Sequence, residues 1–316
     1  MLRFIPRQAR PLDGCAAAAL RPYEGVTARL LYARGITDAQ QADAFLNPSL
    51  ERLHDPLRMH GMAEALAILT DARQSGLPVV VYGDYDVDGV CASALLVEAL
   101  RSHGAHADVY TPSRHREGYG LNVEAVERLA ARYALLISVD CGINAFAPAE
   151  AAAKRGMTLV ITDHHEPADR LPDAAAVVNP LLGAYPFRRL CGAGVAWKLV
   201  WALFGREAAE PLLELAALAT VADMVPLLGE NRIIVAHGLR QLNRTRRAGL
   251  RALIEAAGLA DKTVTAGHLG FQLAPRINAG GRLAEAGRSV EMLLTQDEAL
   301  ARRVCLLYTS DAADEE

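Results

Sequence analysis

The sequence predicts an α/β fold: a parallel β-sheet flanked by helices, followed by a mainly helical segment. Three observations predict it. Short Val- and Ile-rich runs of strand length stand at 78–83, 107–111, 135–140, 158–162 and 175–178. They alternate with Ala-, Leu-, Glu- and Arg-rich stretches at 89–103, 122–132 and 145–155, and such alternation reads as successive βαβ units. Beyond Pro180, apolar residues recur at helical spacing over 192–205, 207–223, 231–243 and 248–257.

Taken in order, residues 1–55 read as an N-terminal helical segment with a polar face, with Thr37-Asp38 as a helix start and Asn47-Pro48 as a stop. Residues 56–230 form the α/β domain, entered by a helix over about 60–75 that closes at Ser75-Gly76. Pro226 and Leu227-Leu228-Gly229 interrupt the helical texture before a helical connector over 231–304, which contains the Gly-rich PRINAGGRL. The stretch CLLYTSDAADE, from Cys305 to Glu315, reads like the translation of a transposon-end sequencing adapter. Native sequence is therefore expected to end near Val304, and 305–316 is set aside as a non-native tail. A solvated acidic tail (Asp311, Asp314, Glu315, Glu316) is the other reading.

Composition removes some classes of function. Apolar residues make up 52% of the 316, yet no stretch gives about 20 charge-free apolar positions for a membrane span. The N-terminus carries Arg3, Arg7 and Arg10 without an apolar core, so no secretion signal is expected. The five cysteines (15, 91, 141, 191, 305) are scattered and odd in number, which favours reduced thiols and a cytoplasmic location. Net charge is −4, so nothing global announces a nucleic-acid binder. Lysine occurs only at 154, 198 and 262. The basic side chains are otherwise arginines, which suit bidentate phosphate contacts; a GC-rich coding bias, in keeping with the abundant alanine, is the favoured explanation.

The polar residues that carry chemistry sit at strand ends. YGDYD, SVDCG and ITDHH each place ionisable groups directly after an apolar run, where ligands bind in open parallel sheets. Asp84, Asp86 and Asp88 fall at alternate positions, on one side of an extended chain and about 7 Å apart. Their repulsion asks for a cation. Asp84, Asp86, Asp140, His164, His165 and Asp223 converge if the sheet is parallel and Asp223 folds back from its helix. Hard oxygens with imidazole suit Mn²⁺ or Mg²⁺, and two such ions about 3.5–4 Å apart form a clamp for phosphoester hydrolysis. A single Asp at a strand end is more commonly a turn or cap residue, and Asp88 before Gly89 fits that role. An apolar strand followed by DxDG also describes the nucleophile loop of haloacid-dehalogenase-type phosphatases. Lys154 and Lys198 fit no such arrangement, and it has no use for adjacent histidines.

Together, GDYDVDGV at 83–90, SVDCGI at 138–143, TDHHEP at 162–167, VVNP at 177–180 and ATVADMVPL at 219–227 resemble the DHH phosphoesterase superfamily. Their order, with CGAGVAWKL at 191–199 and PRINAGGRL at 275–283, is similar to the RecJ branch. The resemblance implies a single-stranded-DNA-specific exonuclease acting from the 5′ end in recombination and repair, with Mn²⁺ or Mg²⁺, two ions, as cofactor. It implies metal ligands at Asp84, Asp86, Asp140, His164 and Asp223, with Asp140 the bridging carboxylate, and His165 beside the scissile phosphate. Asp163 would support a histidine. Asp88 stays open between a ligand and a cap for the helix beginning near Gly89. Arg276, Asn278 and Arg282 would hold nucleic-acid phosphates, with Gly280 and Gly281 permitting close approach; a Gly-rich turn with solvated arginines is the alternative. The loop SRHREGYGL, with Arg114 and Tyr119, reads as a substrate contact able to stack a base, or as a solvated loop. Single-stranded DNA is the implied partner, with single-strand-binding protein and a helicase beside it. Members of the branch continue into further domains, so the chain is expected to stop short of them and to leave an apolar patch exposed. A phosphodiesterase on short oligonucleotides or cyclic dinucleotides, and a DNA-binding fragment without activity, are the alternatives.

Overall fold

A computed structural model describes residues 14–23, 25–113, 117–282 and 286–310, with side chains of 280–286 and 307–310 outside the description. It divides into two units, one ending at Leu53 and one beginning at His54. The first holds three short helices, α1 (Gly14–Ala19), α2 (Val26–Tyr32) and α3 (Ala39–Leu46), around a small core of Leu20, Ala28, Leu31, Ile36 and Ala42. Asp38 caps α3 by accepting from Gln41 N at 2.8 Å, as the Thr37-Asp38 start predicts.

The second unit opens with α4 (Met62–Gln74), which ends at Ser75-Gly76. The apolar runs become β1 (Val79–Gly83), β2 (Ala107–Tyr110), β3 (Leu135–Val139), β4 (Thr158–Thr162) and β5 (Ala176–Val178). All are parallel, in the order β2-β1-β3-β4-β5. Strands covered on both faces need continuous apolar sequence, and every residue of β1, β3 and β5 is buried. The crossovers α5 (Val87–Ser102), α6 (Val123–Ala130) and α7 (Phe146–Lys154) supply the cover. The sheet thus starts one strand in from its edge, at β1, extends one way to β2 and then the other way to β3.

The helical remainder packs on this sheet through α8 (Gly192–Phe204), α9 (Arg206–Ala209), α10 (Leu213–Ala222), α11 (Gly229–Leu242), α12 (Ala248–Ala256), α13 (Ala266–His268), α14 (Ala274–Arg282), α15 (Ala286–Leu294) and α16 (Glu298–Ser310). One expectation changes here and one alternative falls. The single helix expected over 207–223 is broken by a 3₁₀ turn at Glu210–Leu212, because Pro211 has no N–H to continue the α pattern. PRINAGGRL is helical through Arg282 rather than the Gly-rich turn given as the alternative: α13, a π turn over Leu269–Leu273 and α14 follow one another without a gap, and the π turn directly ahead of Pro275 already interrupts the i→i−4 ladder that its missing N–H cannot continue. α16 runs across position 304, and Cys305 is buried against Met292, Sγ to Sδ 3.2 Å.

Two buried ionic clusters tie the helices. Lys198 has no exposed surface; its Nζ lies 2.7 Å from Glu230 Oε1 and donates to His54 O at 2.6 Å. Burial pulls its ammonium below the ordinary lysine value, against the opposing pull of Glu230. Arg247 donates to Glu98 on α5, Glu214 on α10 and the carbonyl of Leu293 on α15.

Candidate metal centre

Register sets the site. Gly83 pairs with Val139, and Val139 with Thr162. Asp84, Asp140 and Asp163 are therefore each the first residue beyond a common row, at the carboxyl edge of three adjacent strands. The crossovers diverge between β1 and β3, and this switch point is where ligands of doubly wound sheets bind.

Asp84 is 1% exposed, and its Oδ1 has no hydrogen-bond partner among the described residues. Burial, then the charge of Asp86, pushes its carboxyl up to about 7. Asp86 Oδ1 accepts from Asp88 N and Gly89 N at 2.9 and 3.0 Å, capping α5. The cap assigned to Asp88 as one alternative thus belongs to Asp86. Asp88, in the first turn of α5, instead crosses to a second helix: its carboxylate accepts from Gly192 N at 2.6 Å and Ala193 N at 2.7 Å, the first amides of α8. Asp140 has φ +61°, a left-handed conformation uncommon outside glycine and a mark of functional sites. Its Oδ1 is buried and makes no hydrogen bond among the described residues, and burial, with Asp88 and Asp86 nearby, holds its carboxyl well above the usual range. Gly192 makes room for it, since a Cβ there would stand 2.5 Å from Asp140 Cβ. Asp223, at the C-terminal end of α10, has a third orphan oxygen, Oδ2, and its carboxyl rises to about 7 through burial and then Asp88.

The histidines divide between two surroundings. His164 Nε2 lies 3.1 Å from Asp140 Oδ1 and 3.7 Å from Asp88 Oδ2, and Nδ1 lies 3.9 Å from Asp223 Oδ2. Burial pulls its imidazole below the ordinary value, so a neutral ring offers a lone pair to the carboxylates' common centre. His165 is held by Asp163, whose Oδ1 meets Nδ1 at 2.7 Å and both backbone amides of His164 and His165, while Oδ2 accepts from Ile143 N. The hydrogen bond to Asp163 raises His165. In return, the bond from His165 and the amide donors hold Asp163 below the carboxylate range despite its burial.

Potential ligand atoms fall into three groups, each within 4.8 Å: Asp84, Asp86 and Asp140; Asp88, His164 and Asp223; and Asp140, Asp163, His164 and His165. All five ligands implied by the resemblance come together, and Asp88 joins them. Among the described residues, three buried carboxylate oxygens, on Asp84, Asp140 and Asp223, make no hydrogen bond, the Asp140 oxygen having only the His164 imidazole beside it; they fit divalent cations, because a buried charge otherwise finds a partner. The phosphate-binding candidates separate. Asn278 Oδ1 accepts from Val87 N at 3.1 Å, beside Asp86. Arg276 donates into its own helix at Gln272 O, 2.7 Å, and its Nε is buried without a partner among the described residues. Arg114, and the side chain of Arg282, lie outside the described residues.

Comparison with known proteins fits this geometry. The family model for the DHH family, N-terminal domain, matches residues 78–222. The single-stranded-DNA-specific exonuclease RecJ of Bacillus subtilis is 42% identical over 275 residues, covering 86% of this chain and 35% of that protein. A crystal structure of exonuclease RecJ bound to manganese matches with TM-score 0.77 and 37% identity, covering 83% of this chain and 68% of that one. The chain belongs to the RecJ branch of the DHH family. Its fold also matches RecJ of Thermus thermophilus in complex with Mn²⁺, with TM-score 0.81 and 34% identity over 95% of this chain and 43% of that one. RecJ of Escherichia coli is 38% identical over 293 residues, 87% of this chain and 50% of that protein. The chain thus spans between 35% and 50% of these two curated RecJ relatives. Among the described residues, no helix is long and apolar enough to cross a membrane.

Proposed function

We propose that the chain is the catalytic core of a metal-dependent exonuclease that hydrolyses phosphodiester bonds of single-stranded DNA from the 5′ end, in recombination and repair. The observation that carries the proposal is the gathering at the sheet's switch point of buried carboxylate oxygens from Asp84, Asp140 and Asp223 that make no hydrogen bond among the described residues. Asp84, Asp86 and Asp140 would hold one ion, and Asp88, His164 and Asp223 a second, with Asp140 near both. Mn²⁺ or Mg²⁺ bound there supplies charge neutralisation at the phosphate and a more acidic water. Asp163 keeps His165 oriented and favours its protonated form, so that His165 can donate to a phosphate oxygen. Arg276, Asn278, Arg114 and Arg282 are the proposed strand contacts. The partners expected with this activity, single-strand-binding protein and a helicase, and a cytoplasmic location belong to the same proposal.

The test is a 5′-labelled single strand incubated with the chain and Mn²⁺. Stepwise loss of the 5′ label as short product is expected, and an intact strand would count against the proposal. Dinucleotide hydrolysis as fast as that of the long strand would instead indicate an enzyme for short oligonucleotides.

A further inference from the structure

We infer that the hydroxyl of Tyr119 positions the imidazole of His165, making a line Asp163–His165–Tyr119; the inference deepens the exonuclease reading and rests on it for its catalytic consequence. The Tyr119 hydroxyl stands 3.3 Å from His165 Nε2, while His165 Nδ1 is 2.7 Å from Asp163 Oδ1. Asp163 engages Nδ1, so Nε2 is the nitrogen left to face a phosphate, and its single proton would be shared between the Tyr119 hydroxyl and the phosphate oxygen in a three-centre bond. Tyr119, itself more than half exposed, meets that nitrogen with its ring edge-on to His165 (centroids 6.2 Å, 87°) and to Tyr85 (6.4 Å, 85°).

The presentation of Tyr119 is built, not incidental. It lies between Gly118 (φ +76°) and Gly120 (φ +75°), two left-handed positions that a side chain would disfavour. The Gly120 carbonyl accepts from the buried hydroxyl of Tyr82 at 2.9 Å, and Tyr82 lies on β1 two residues before Asp84. Asn122 donates to the same hydroxyl at 3.1 Å and caps α6 by accepting from Ala125 N at 2.8 Å. On the other side, Glu117 accepts from Ser113 N at 2.8 Å and from Arg128 at 3.0 Å. The loop is thereby tied to the strand that carries the first metal ligands. A tyrosine serving only to stack a base would need its ring alone; here the hydroxyl is directed at one nitrogen of one histidine.

Tyr119→Phe keeps the ring and removes the hydroxyl, and two measurements decide. In imidazole ¹⁵N NMR of the metal-free chain, the His165 Nε2 resonance should move while the Nδ1 contact to Asp163 persists. An unchanged spectrum overturns the inference whether or not the chain cuts DNA. With Mn²⁺ and a single strand, kcat should fall about tenfold, as for loss of one hydrogen bond at the reacting group, with KM and Mn²⁺ affinity unchanged. Tyr119→Ala should in addition raise KM. Wild-type kinetics in Tyr119→Phe, or a rise in KM alone, overturns the positioning role. A wild-type chain that leaves DNA intact sinks the exonuclease reading, and the NMR result then judges the inference by itself.

Discussion

Asp140 combines a left-handed backbone, a buried unpaired oxygen and a close contact with Gly192. Asparagine tolerates that backbone but carries no charge, which makes Asp140→Asn the cleanest probe of the centre. Calorimetry should show Mn²⁺ binding weakened by about 100-fold, at the upper end of what even supporting residues cost. The metal-free melting temperature should rise, since one of several mutually repelling carboxylates is gone. Equal Mn²⁺ affinity would undermine the metal site. At this scale much was legible. Asp84, Asp86, Asp140 and His164 follow apolar runs directly, so strand ends alone bring them together once the sheet is parallel. Asp88 was not legible, because the amides of Gly192 and Ala193 that hold it lie more than 100 residues away in sequence. Nor was the contact of Tyr119 with His165, which depends on how a loop between two glycines folds over a neighbouring strand end.

α8 links the centre to the helical half of the molecule. Its first amides bind Asp88, its first residue packs on Asp140, and Lys198, midway along it, neutralises Glu230 at the start of α11, shortly after Asp223 in the chain. Gly192→Ala should therefore cost about 1–3 kcal/mol by overpacking and weaken Mn²⁺ binding at the same time; thermal unfolding with and without Mn²⁺ reads both. A variant whose stability falls while Mn²⁺ affinity stays unchanged would show that Asp140 adapts. Lys198→Ala leaves Glu230 buried without its cation and should cost about 3–5 kcal/mol, with partial recovery in Lys198→Met combined with Glu230→Gln; denaturant unfolding measures it. The elements themselves were largely readable from texture: the five strands fall within a residue or two of the apolar runs. The one departure, and the alternative that fell, each involve a proline or glycine in helical sequence. Pro211 broke a helix that its apolar spacing suggested was continuous. Gly280 and Gly281 did not break one, because Pro275 and the preceding π turn feed directly into α14.

Across the whole molecule, the centre makes stability depend on pH and metal together. Asp84 and Asp223 release their protons near pH 4 when unfolded but only at about 7 in the metal-free fold. Between those values the folded state binds more protons, so stability falls as pH rises. His165, raised by Asp163, adds to the same trend above its ordinary value, whereas His164, lowered by burial, opposes it just below about 6.5. Scanning calorimetry of the metal-free chain should show a melting temperature lower at pH 8 than at pH 5 by roughly 5 °C or more, and Mn²⁺ should raise the pH 8 value more, because metal displaces those protons. A flat profile would contradict the raised carboxylates. The overall architecture was legible because alternation of strand and helix admits few arrangements. The tie from α5 to α10 and α15 through Arg247 was not, since three partners spread from Glu98 to Leu293 leave no local signal. The shared row of Gly83, Val139 and Thr162 has a further consequence. A strand paired one residue out of place would turn its acid to the opposite face, so the chain could still collapse around its apolar core yet fail to chelate. Manganese titration during refolding would then act as a proofreading signal, separating chains with correct strand alignment from compact misaligned ones that circular dichroism would count as native.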